Sequence, residues 1–348
     1  MPEETTALDF EIPIVELENK ISEIRNLNQN GMTNFDQEIK ALEEKRKKLI
    51  EQVFAALSPW QRVQLARHPK RPHTLDYLGS IFTDFTELHG DRLFSDDAAL
   101  VGGTAFLGSQ PVMVMGQQKG RNIEDSMMRN FGMMNPEGYR KALRLMKLAE
   151  KFNLPVVIFI DTPGAYPGIG AEERGQAEAI ALNLREMSVL KIPTIAVVIG
   201  EGGSGGALGI GVTDRILMLE NAWYSVISPE GCAAILFRDA AKAPDAARAL
   251  KLTAQDLLEH KVIDEVVPEP CGGAHRNLAA ISDTLRQAIE KQLKGLQSIP
   301  TEQLLEERYA KYRRLGVWSE SKAKEIQAGT KKSKKPAGKK SAEQAKSI

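Results

Sequence analysis

Apolar residues near the N-terminus recur at helical spacing, in two runs separated by a polar break. The first run comprises Ile14, Leu17, Ile21 and Ile24, and the second extends from Phe35 to Leu57. Steps of three and four residues place such side chains along one face of a helix. The pattern predicts an αα-hairpin with coiled-coil-like seams. We assign residues 1–62 to this hairpin and expect it to dock on the main body or on a partner as an assembly element, because its apolar faces are too large to leave in water.

From about residue 100 the pattern changes to strands that alternate with helices. Predicted strands cover residues 100–107, 111–117, 155–160, 193–199, 215–220 and 262–267, and predicted helices cover 135–151, 171–190, 275–296 and 301–315. This alternation favours parallel pairing in a layered α/β domain. Glycine-rich loops follow the strands at 155–160 and 193–199, at the carboxyl ends where such sheets bind ligands. We therefore expect one site that is lined by both loops.

The stretch from Gly200 to Gly211 holds seven glycines in twelve residues. It fits a dinucleotide fingerprint ending at Gly205, but only about nine residues separate Gly205 from the next strand near Arg215, too few for the helix of a Rossmann crossover. It also fits a Gly-x-Ser-x-Gly nucleophile elbow around Ser204, which needs a downstream acid and histidine. Two histidines follow, His260 and His275, and both are expected at helix ends. An oxyanion hole of backbone N–H groups is the favoured interpretation, and a serine hydrolase stays open as the alternative.

Composition indicates an ordinary globular protein of 348 residues, with 42% hydrophobic and 26% charged residues. There is no apolar run of the ~20 residues needed to span a membrane and no signal-peptide pattern at the N-terminus, so we expect a cytoplasmic protein. Cys232 and Cys271 are too few for a four-cysteine zinc site and are expected to be buried free thiols. Residues 317–348 are predicted to be a disordered tail, since residues 319–348 contain nine Lys and three Glu. We interpret the tail as solubilising and expect no nucleic-acid partner.

Two further segments concentrate basic residues. Residues 65–77 contain Pro69 and Pro72, which predict an extended rather than a helical chain. The segment is interpreted either as an anion-binding stretch or as a rigid linker. Lys119 and Arg121 follow the strand at 111–117 and are either contacts for an anionic ligand or solvated charges in a turn.

Seven motifs identify a family. They are Gln64–Tyr77, Arg129–Met133, Pro136–Met146, Ile160–Gln176, Val198–Leu208, Tyr224–Cys232 and Pro268–Pro270. Together they resemble the α-subunit family of the multisubunit acetyl-CoA carboxylase carboxyltransferases of bacteria and plastids. The resemblance extends from about residue 8 to residue 316 and does not include the lysine-rich tail.

This resemblance implies a crotonase-like fold of the ClpP/crotonase superfamily, a spiral of ββα units, over residues 63–316. It implies transfer of a carboxyl group from carboxybiotin to acetyl-CoA, forming malonyl-CoA for fatty acid biosynthesis. Biotin would be held by a separate biotin carboxyl carrier protein and carboxylated by a biotin carboxylase. The chain would be active only with a β subunit in an α2β2 assembly, and that subunit would supply the zinc. A non-catalytic scaffold subunit is the remaining alternative.

The resemblance also places the site residues. Gly205 and Gly206 would form a backbone oxyanion hole for the biotin ureido oxygen. Residues expected to line the carboxybiotin site are Gly164, Ala165, Tyr166, Gly168, Gly202 and Gly203, with Lys119 and Arg121 as possible anion contacts. We expect no metal ligands in this chain. We also expect no covalently attached biotin, because Lys147 falls within a predicted helix and is interpreted as a surface lysine.

Overall fold

The computed structural model describes residues 7–29 and 35–316. The described chain up to Leu315 forms one compact unit. The predicted tail at 317–348 and the middle of the polar break near Gly31 lie outside the described residues. Among the residues that are described, no helix combines the length and the apolar character needed to cross a bilayer.

Eight strands form one sheet in the described residues. They are β1 (Thr83–Glu87), β2 (Leu100–Leu107), β3 (Gln110–Gln117), β4 (Val156–Thr162), β5 (Thr194–Gly203), β6 (Arg215–Leu219), β7 (Trp223–Ser225) and β8 (Glu265–Val267). The strand order is β1-β2-β3-β4-β5-β6-β8, and β7 pairs with β5. The first three strands are antiparallel, and the pairs from β3 through β8 are parallel. The predicted parallel α/β sheet is therefore confirmed.

Fourteen α-helices surround the sheet in the described part of the chain. They are α1 (Ile12–Gln29), α2 (Asp36–Ala55), α3 (Pro59–Ala66), α4 (Thr74–Ile81), α5 (Ile123–Met128), α6 (Pro136–Lys151), α7 (Ile169–Glu173), α8 (Gln176–Ser188), α9 (Ser204–Leu208), α10 (Pro229–Phe237), α11 (Ala243–Leu250), α12 (Ala254–Glu259), α13 (Leu278–Gln297) and α14 (Thr301–Arg313). Every residue of β4 and β5 is buried. The core therefore centres on these two strands, whose carboxyl ends carry the glycine-rich loops.

Several elements differ from the sequence predictions. The helix predicted over 171–190 is divided into α7 and α8, because Gly175 adopts a left-handed conformation with φ of 83° between them. Strand β5 continues to Gly203 instead of ending at Ile199, since β7 pairs with its second half. The prediction of an extended chain over residues 65–77 is wrong at both ends, because α3 ends at Ala66 and α4 begins at Thr74. Of the two thiols expected to be buried, Cys232 is buried and Cys271 is exposed.

The N-terminal hairpin is confirmed as α1 and α2, which pack against each other. It also packs on its own chain. Buried Glu11, just before α1, lies 3.2 Å from Nε2 of His275 and 3.6 Å from Nε2 of His68. Arg276 Nη1 donates to Glu18 of α1 at 2.8 Å. Docking on the main body is therefore observed, and a role in subunit assembly stays a prediction.

The two histidines that face Glu11 stack with ring centroids 4.1 Å apart. Glu11, His68 and His275 together offer three potential metal-ligand atoms. However, Nδ1 of His68 accepts a hydrogen bond from the Lys70 N–H at 3.1 Å. A neutral ring then carries its hydrogen on Nε2, toward Glu11, and has no lone pair there for a metal. The cluster is an anchor for the hairpin.

A fully buried ion pair anchors the segment between α3 and α4. Arg71 is paired with Glu269 at 2.6 Å, and its Nε donates to the Ile199 carbonyl at 2.8 Å. Glu269 also accepts from the backbone N–H groups of Asn221 and Ala274. Both charges are therefore compensated, as burial requires. The pair joins the Gln64–Tyr77 and Pro268–Pro270 motifs to β5.

Stability should fall as the pH is lowered from about 6.5, the pKa of an ordinary histidine. Burial and the neighbouring His275 lower the pKa of His68 to about 4, and burial lowers the pKa of His73 to about 4. Between about pH 6.5 and pH 4, these two histidines therefore bind more protons in the unfolded chain than in the folded chain. Each group should then remove about 1 kcal/mol of unfolding free energy between about pH 6.5 and 5.5.

His68→Gln should remove its share of this slope in urea unfolding measured across that range. An unchanged slope in His68→Gln would show that His68 is not held neutral by its surroundings.

Candidate active site

The backbones that follow β4 and β5 meet at the carboxyl end of the sheet. Thr162 of β4 is in register with Gly202 of β5. A Cβ atom on Gly203 would lie 2.1 Å from the Pro163 carbonyl oxygen, and one on Gly206 would lie 2.3 Å from the Gly164 carbonyl carbon. Neither distance is possible for a side chain. The two loops therefore form one region, as predicted, and glycine at 203 and 206 is required by their contact.

Gly205 differs from these two glycines. The nearest atom to a Cβ built on it is Ile180 Cδ1 at 3.7 Å, an ordinary van der Waals contact. The face of Gly205 is open and lines a cavity of about 410 Å³ together with apolar residues that include Leu208, Ile216 and Val262. Packing within the chain does not require glycine at this position. The face of Gly205 is therefore free to be approached by a molecule from outside the chain.

Ser204 begins α9 with φ of 55°, a left-handed conformation that is uncommon for a residue other than glycine. The turn from β5 into α9 is therefore sharp, and Ser204 is exposed. This is the backbone shape of a nucleophile elbow. Its chemistry is missing, because no hydrogen bond of the Ser204 hydroxyl is found in the described part of the chain. His260 ends α12 and His275 bonds Glu11, so neither serves Ser204 as a base.

The loop after β4 is held open by its own hydrogen bonds. Gln176 Nε2 donates to the carbonyls of Met134 and Tyr166, each at 2.9 Å. The Tyr166 ring lies over Gly168, where a Cβ would come within 2.4 Å of the ring. A Cβ on Gly164 would meet no atom within 4 Å. Of the predicted lining residues, Gly164 thus presents open space and Gly168 is covered by Tyr166.

Five charged residues form a network beneath the two loops, since Arg67 also pairs with Glu230 at 2.5 Å. Lys119 Nζ lies 2.7 Å from Asp161 Oδ1 and 2.6 Å from Glu201 Oε2. Arg67 Nε pairs with the other oxygen of Glu201 at 2.6 Å. Asp161 Oδ1 also accepts from the Glu201 N–H at 2.9 Å, and Gly200 leaves room for it, since a Cβ there would lie 2.5 Å away.

The network sets the charge states of its members. Burial lowers the pKa of Lys119, but Asp161 and Glu201 outweigh burial and raise it. Burial raises the pKa of Glu201, but Lys119 and Arg67 outweigh burial and lower it. Lys119 and Glu201 therefore both stay charged.

Lys119 and Arg121, the predicted anion contacts, both have partners within the chain. Lys119 is occupied by Asp161 and Glu201. Arg121 pairs with Asp76 and donates to the Arg71 carbonyl at 2.9 Å. Both cations line a polar cavity of about 350 Å³ between the Arg67–His73 segment and Pro163. Both cations are therefore held by partners within the chain, and their role as anion contacts stays a prediction.

Gln117, Asp161 and Glu201 are site-forming residues that sequence reasoning did not assign. Each is a buried polar residue at the carboxyl end of an apolar strand. A polar residue at the end of an apolar strand could have indicated these positions from the sequence, because a buried polar group there requires a partner. Lys147, in contrast, is a surface lysine of α6, as predicted, and pairs with Glu186 at 3.0 Å.

Comparisons with known proteins agree on one family. A sequence profile described as "Acetyl co-enzyme A carboxylase carboxyltransferase-like" matches residues 7–316. The acetyl-coenzyme A carboxylase carboxyl transferase subunit alpha of Geobacter metallireducens is 59% identical over 313 residues, covering 90% of this chain and 98% of the relative. The protein of the same name from Bacillus cereus is 57% identical over 316 residues, covering 91% and 98%.

A solved structure supports the fold. The chain superposes with a TM-score of 0.53 and 16% identity on a Pseudomonas malonate decarboxylase hetero-tetramer in complex with coenzyme A, covering 63% of this chain and 90% of the matched one. The crotonase-like α/β fold predicted from the sequence is confirmed.

Replacing Lys119 by methionine should destabilise the folded chain. The change leaves the buried Asp161 without its cation and should lower the unfolding free energy by about 3 kcal/mol. Lys147→Met is the matched control, since it removes a lysine that pairs with two glutamates on the surface, and should cost about 1 kcal/mol or less. Urea unfolding of both variants decides. Equal stability of the two would show that the fold does not need Lys119 to compensate the buried Asp161.

Proposed function

The chain belongs to the family of acetyl-CoA carboxylase carboxyl transferase α subunits, and we propose that α9 is its oxyanion hole. The chain is a transferase subunit of a biotin-dependent carboxylase and takes part in carboxyl transfer to acetyl-CoA. In the proposal, the backbone N–H groups of Gly205 and Gly206 donate to the ureido oxygen of carboxybiotin. Carboxybiotin supplies the carboxyl group and, after its loss, a basic nitrogen.

One observation carries the proposal: the first turn of α9 offers unused donors beside an open glycine. The first N–H groups of a helix have no acceptor inside it. Those of Gly205 and Gly206 donate to no other group in the described part of the chain. Since the face of Gly205 is free of side chain, an oxygen can approach both N–H groups closely. Two such donors stabilise negative charge that develops on that oxygen.

The surroundings suit a bicyclic ring with a polar end. The cavity beside Gly205 is predominantly apolar, whereas the donors lie at its α9 edge. A mostly apolar pocket with a few placed polar groups is the usual form of a cofactor site. We propose that Gly164 and Ala165, whose backbone packs against Gly206, hold the first turn of α9 at the edge of this cavity.

The nature of the partners forms part of the proposal. We infer that a β subunit completes the site in an α2β2 assembly, that a carrier protein presents biotin, and that a biotin carboxylase charges it. The chain holds two cysteines, so a four-cysteine zinc site would have to come from the β subunit. A cytoplasmic location and a role for the hairpin of α1 and α2 in assembly remain predictions.

The purified chain alone should produce no malonyl-CoA from acetyl-CoA and a carboxybiotin-regenerating system. The reason is that α9 supplies donors for one oxygen, the ureido oxygen of carboxybiotin, so the thioester oxygen of acetyl-CoA would need donors from another chain. Co-purification with a β subunit of the same family should restore turnover. Activity of the chain alone would refute the need for a partner.

Gly205→Val should cut turnover of the assembled enzyme by about a hundredfold, the usual effect of losing one oxyanion donor. The added side chain fits the fold but fills the approach to the N–H groups. Ser204→Ala should stay close to the wild type, because no hydroxyl chemistry is involved. Gly295→Val is the matched control, at an exposed glycine of α13 with no atom within 4 Å of its Cβ position.

The measurement is kcat with saturating acetyl-CoA, together with the acetyl-CoA affinity of each variant. Full activity of Gly205→Val would favour a scaffold role for this chain. An inactive Ser204→Ala beside an active Gly205→Val would favour the nucleophile elbow.

A further inference from the structure

Gln117 joins two strands to the proposed oxyanion helix through its side-chain amide. Its Nε2 donates to the Gly206 carbonyl at 2.8 Å, and its Oε1 accepts from the Asp161 N–H at 3.1 Å. The side chain is fully buried at the end of β3. One amide group therefore fixes the start of α9 relative to the end of β4.

The carbonyl of Gly206 depends on this contact. Beyond α9, the N–H groups of Gly209, Ile210 and Gly211 donate to the carbonyls of Gly205, Ala207 and Leu208, respectively. None of these three N–H groups donates to the Gly206 carbonyl. The side-chain amide of Gln117 donates to it instead. A buried carbonyl without any donor would be costly.

We infer that Gln117 is a positioning residue for carboxyl transfer: it sets the depth and rotation of α9 so that the N–H groups of Gly205 and Gly206 converge on one oxygen. The inference rests on the function proposed for α9. Gln117 does not touch the oxygen itself, because its amide lies on the carbonyl side of Gly206. A displacement of about 1 Å at such a site can lower the rate by about a hundredfold.

The chemistry of the side chain explains why glutamine stands here. An amide offers a donor and an acceptor at once. Methionine fills a similar volume without either. An ionised glutamate can accept from Asp161 N–H but cannot donate to the Gly206 carbonyl, whereas a protonated glutamate can do both.

Gln117→Met in the complex with the β subunit should lower kcat by about ten- to a hundredfold and leave the acetyl-CoA KM close to that of the wild type. Thr74→Val is the matched control: it removes a buried hydrogen bond of 2.6 Å to the Gln117 carbonyl without touching α9, and kcat should be retained. Hydrogen exchange of residues 204–211 should speed up in Gln117→Met and not in Thr74→Val. Equal loss of kcat in both variants would reduce Gln117 to a general structural residue.

Gln117→Glu provides a rescue by pH. Complete burial and the Gly206 carbonyl, which accepts a hydrogen bond but cannot donate one, favour the protonated form of a glutamate here. The kcat of Gln117→Glu relative to the wild type should therefore fall as pH rises, and that of Gln117→Met should stay flat. A flat ratio for both variants would contradict the positioning role, also if Gln117→Met is too unstable to assemble.

The two proposals fail separately. If Gly205→Val is inactive and Gln117→Met has the kcat of the wild type, the positioning role is wrong and the oxyanion hole stands. If Gly205→Val and Gln117→Met are both fully active, the oxyanion hole is wrong and the positioning role falls with it.

Discussion

The chain segments that leave β4 and β5 come so close together that no side chain fits between them. Gly203 lies against Pro163, and Gly206 lies against Gly164. This contact requires glycine at 203 and 206, and it turns the chain sharply at Ser204 into α9. The first N–H groups of α9 are then left without acceptors beside an open cavity. Of the seven glycines in Gly200–Gly211, those at 200, 203 and 206 are explained by close packing, and the face of Gly205 is open.

The same closeness brings two carboxylates together beneath the loops. Asp161 lies near the end of β4 and Glu201 in the second half of β5, and each accepts a charged hydrogen bond from Lys119. Removing charges from water is costly unless they are paired, so Lys119 and Arg67 are part of the frame of the site. Gln117 adds a neutral bridge to the same frame. Rigid support of this kind lets backbone donors act without reorganising during the reaction.

Much of this arrangement could be predicted from the sequence, and the remainder depended on tertiary contacts. Apolar strand runs followed by glycine loops predicted adjacent parallel strands and a site at their carboxyl ends. The extension of β5 to Gly203 could not be predicted, because glycines have low strand propensity and β7, a three-residue strand, stabilises them. From the sequence, the positive charges of Lys119 and Arg121 predicted possible contacts to an anionic ligand. Their partners Asp161, Glu201 and Asp76 come from 42 or more positions away along the chain, and periodicity cannot reveal such pairs.

A crystal structure of the assembly of this chain and its β subunit with a bound biotin amide tests the central claim most directly. We expect the ureido oxygen to lie about 2.7–3.1 Å from the backbone nitrogens of both Gly205 and Gly206. We also expect the Gln117 amide to bond the Gly206 carbonyl in this complex. A ureido oxygen bound by a side chain, or placed away from the first turn of α9, would contradict the proposed oxyanion hole.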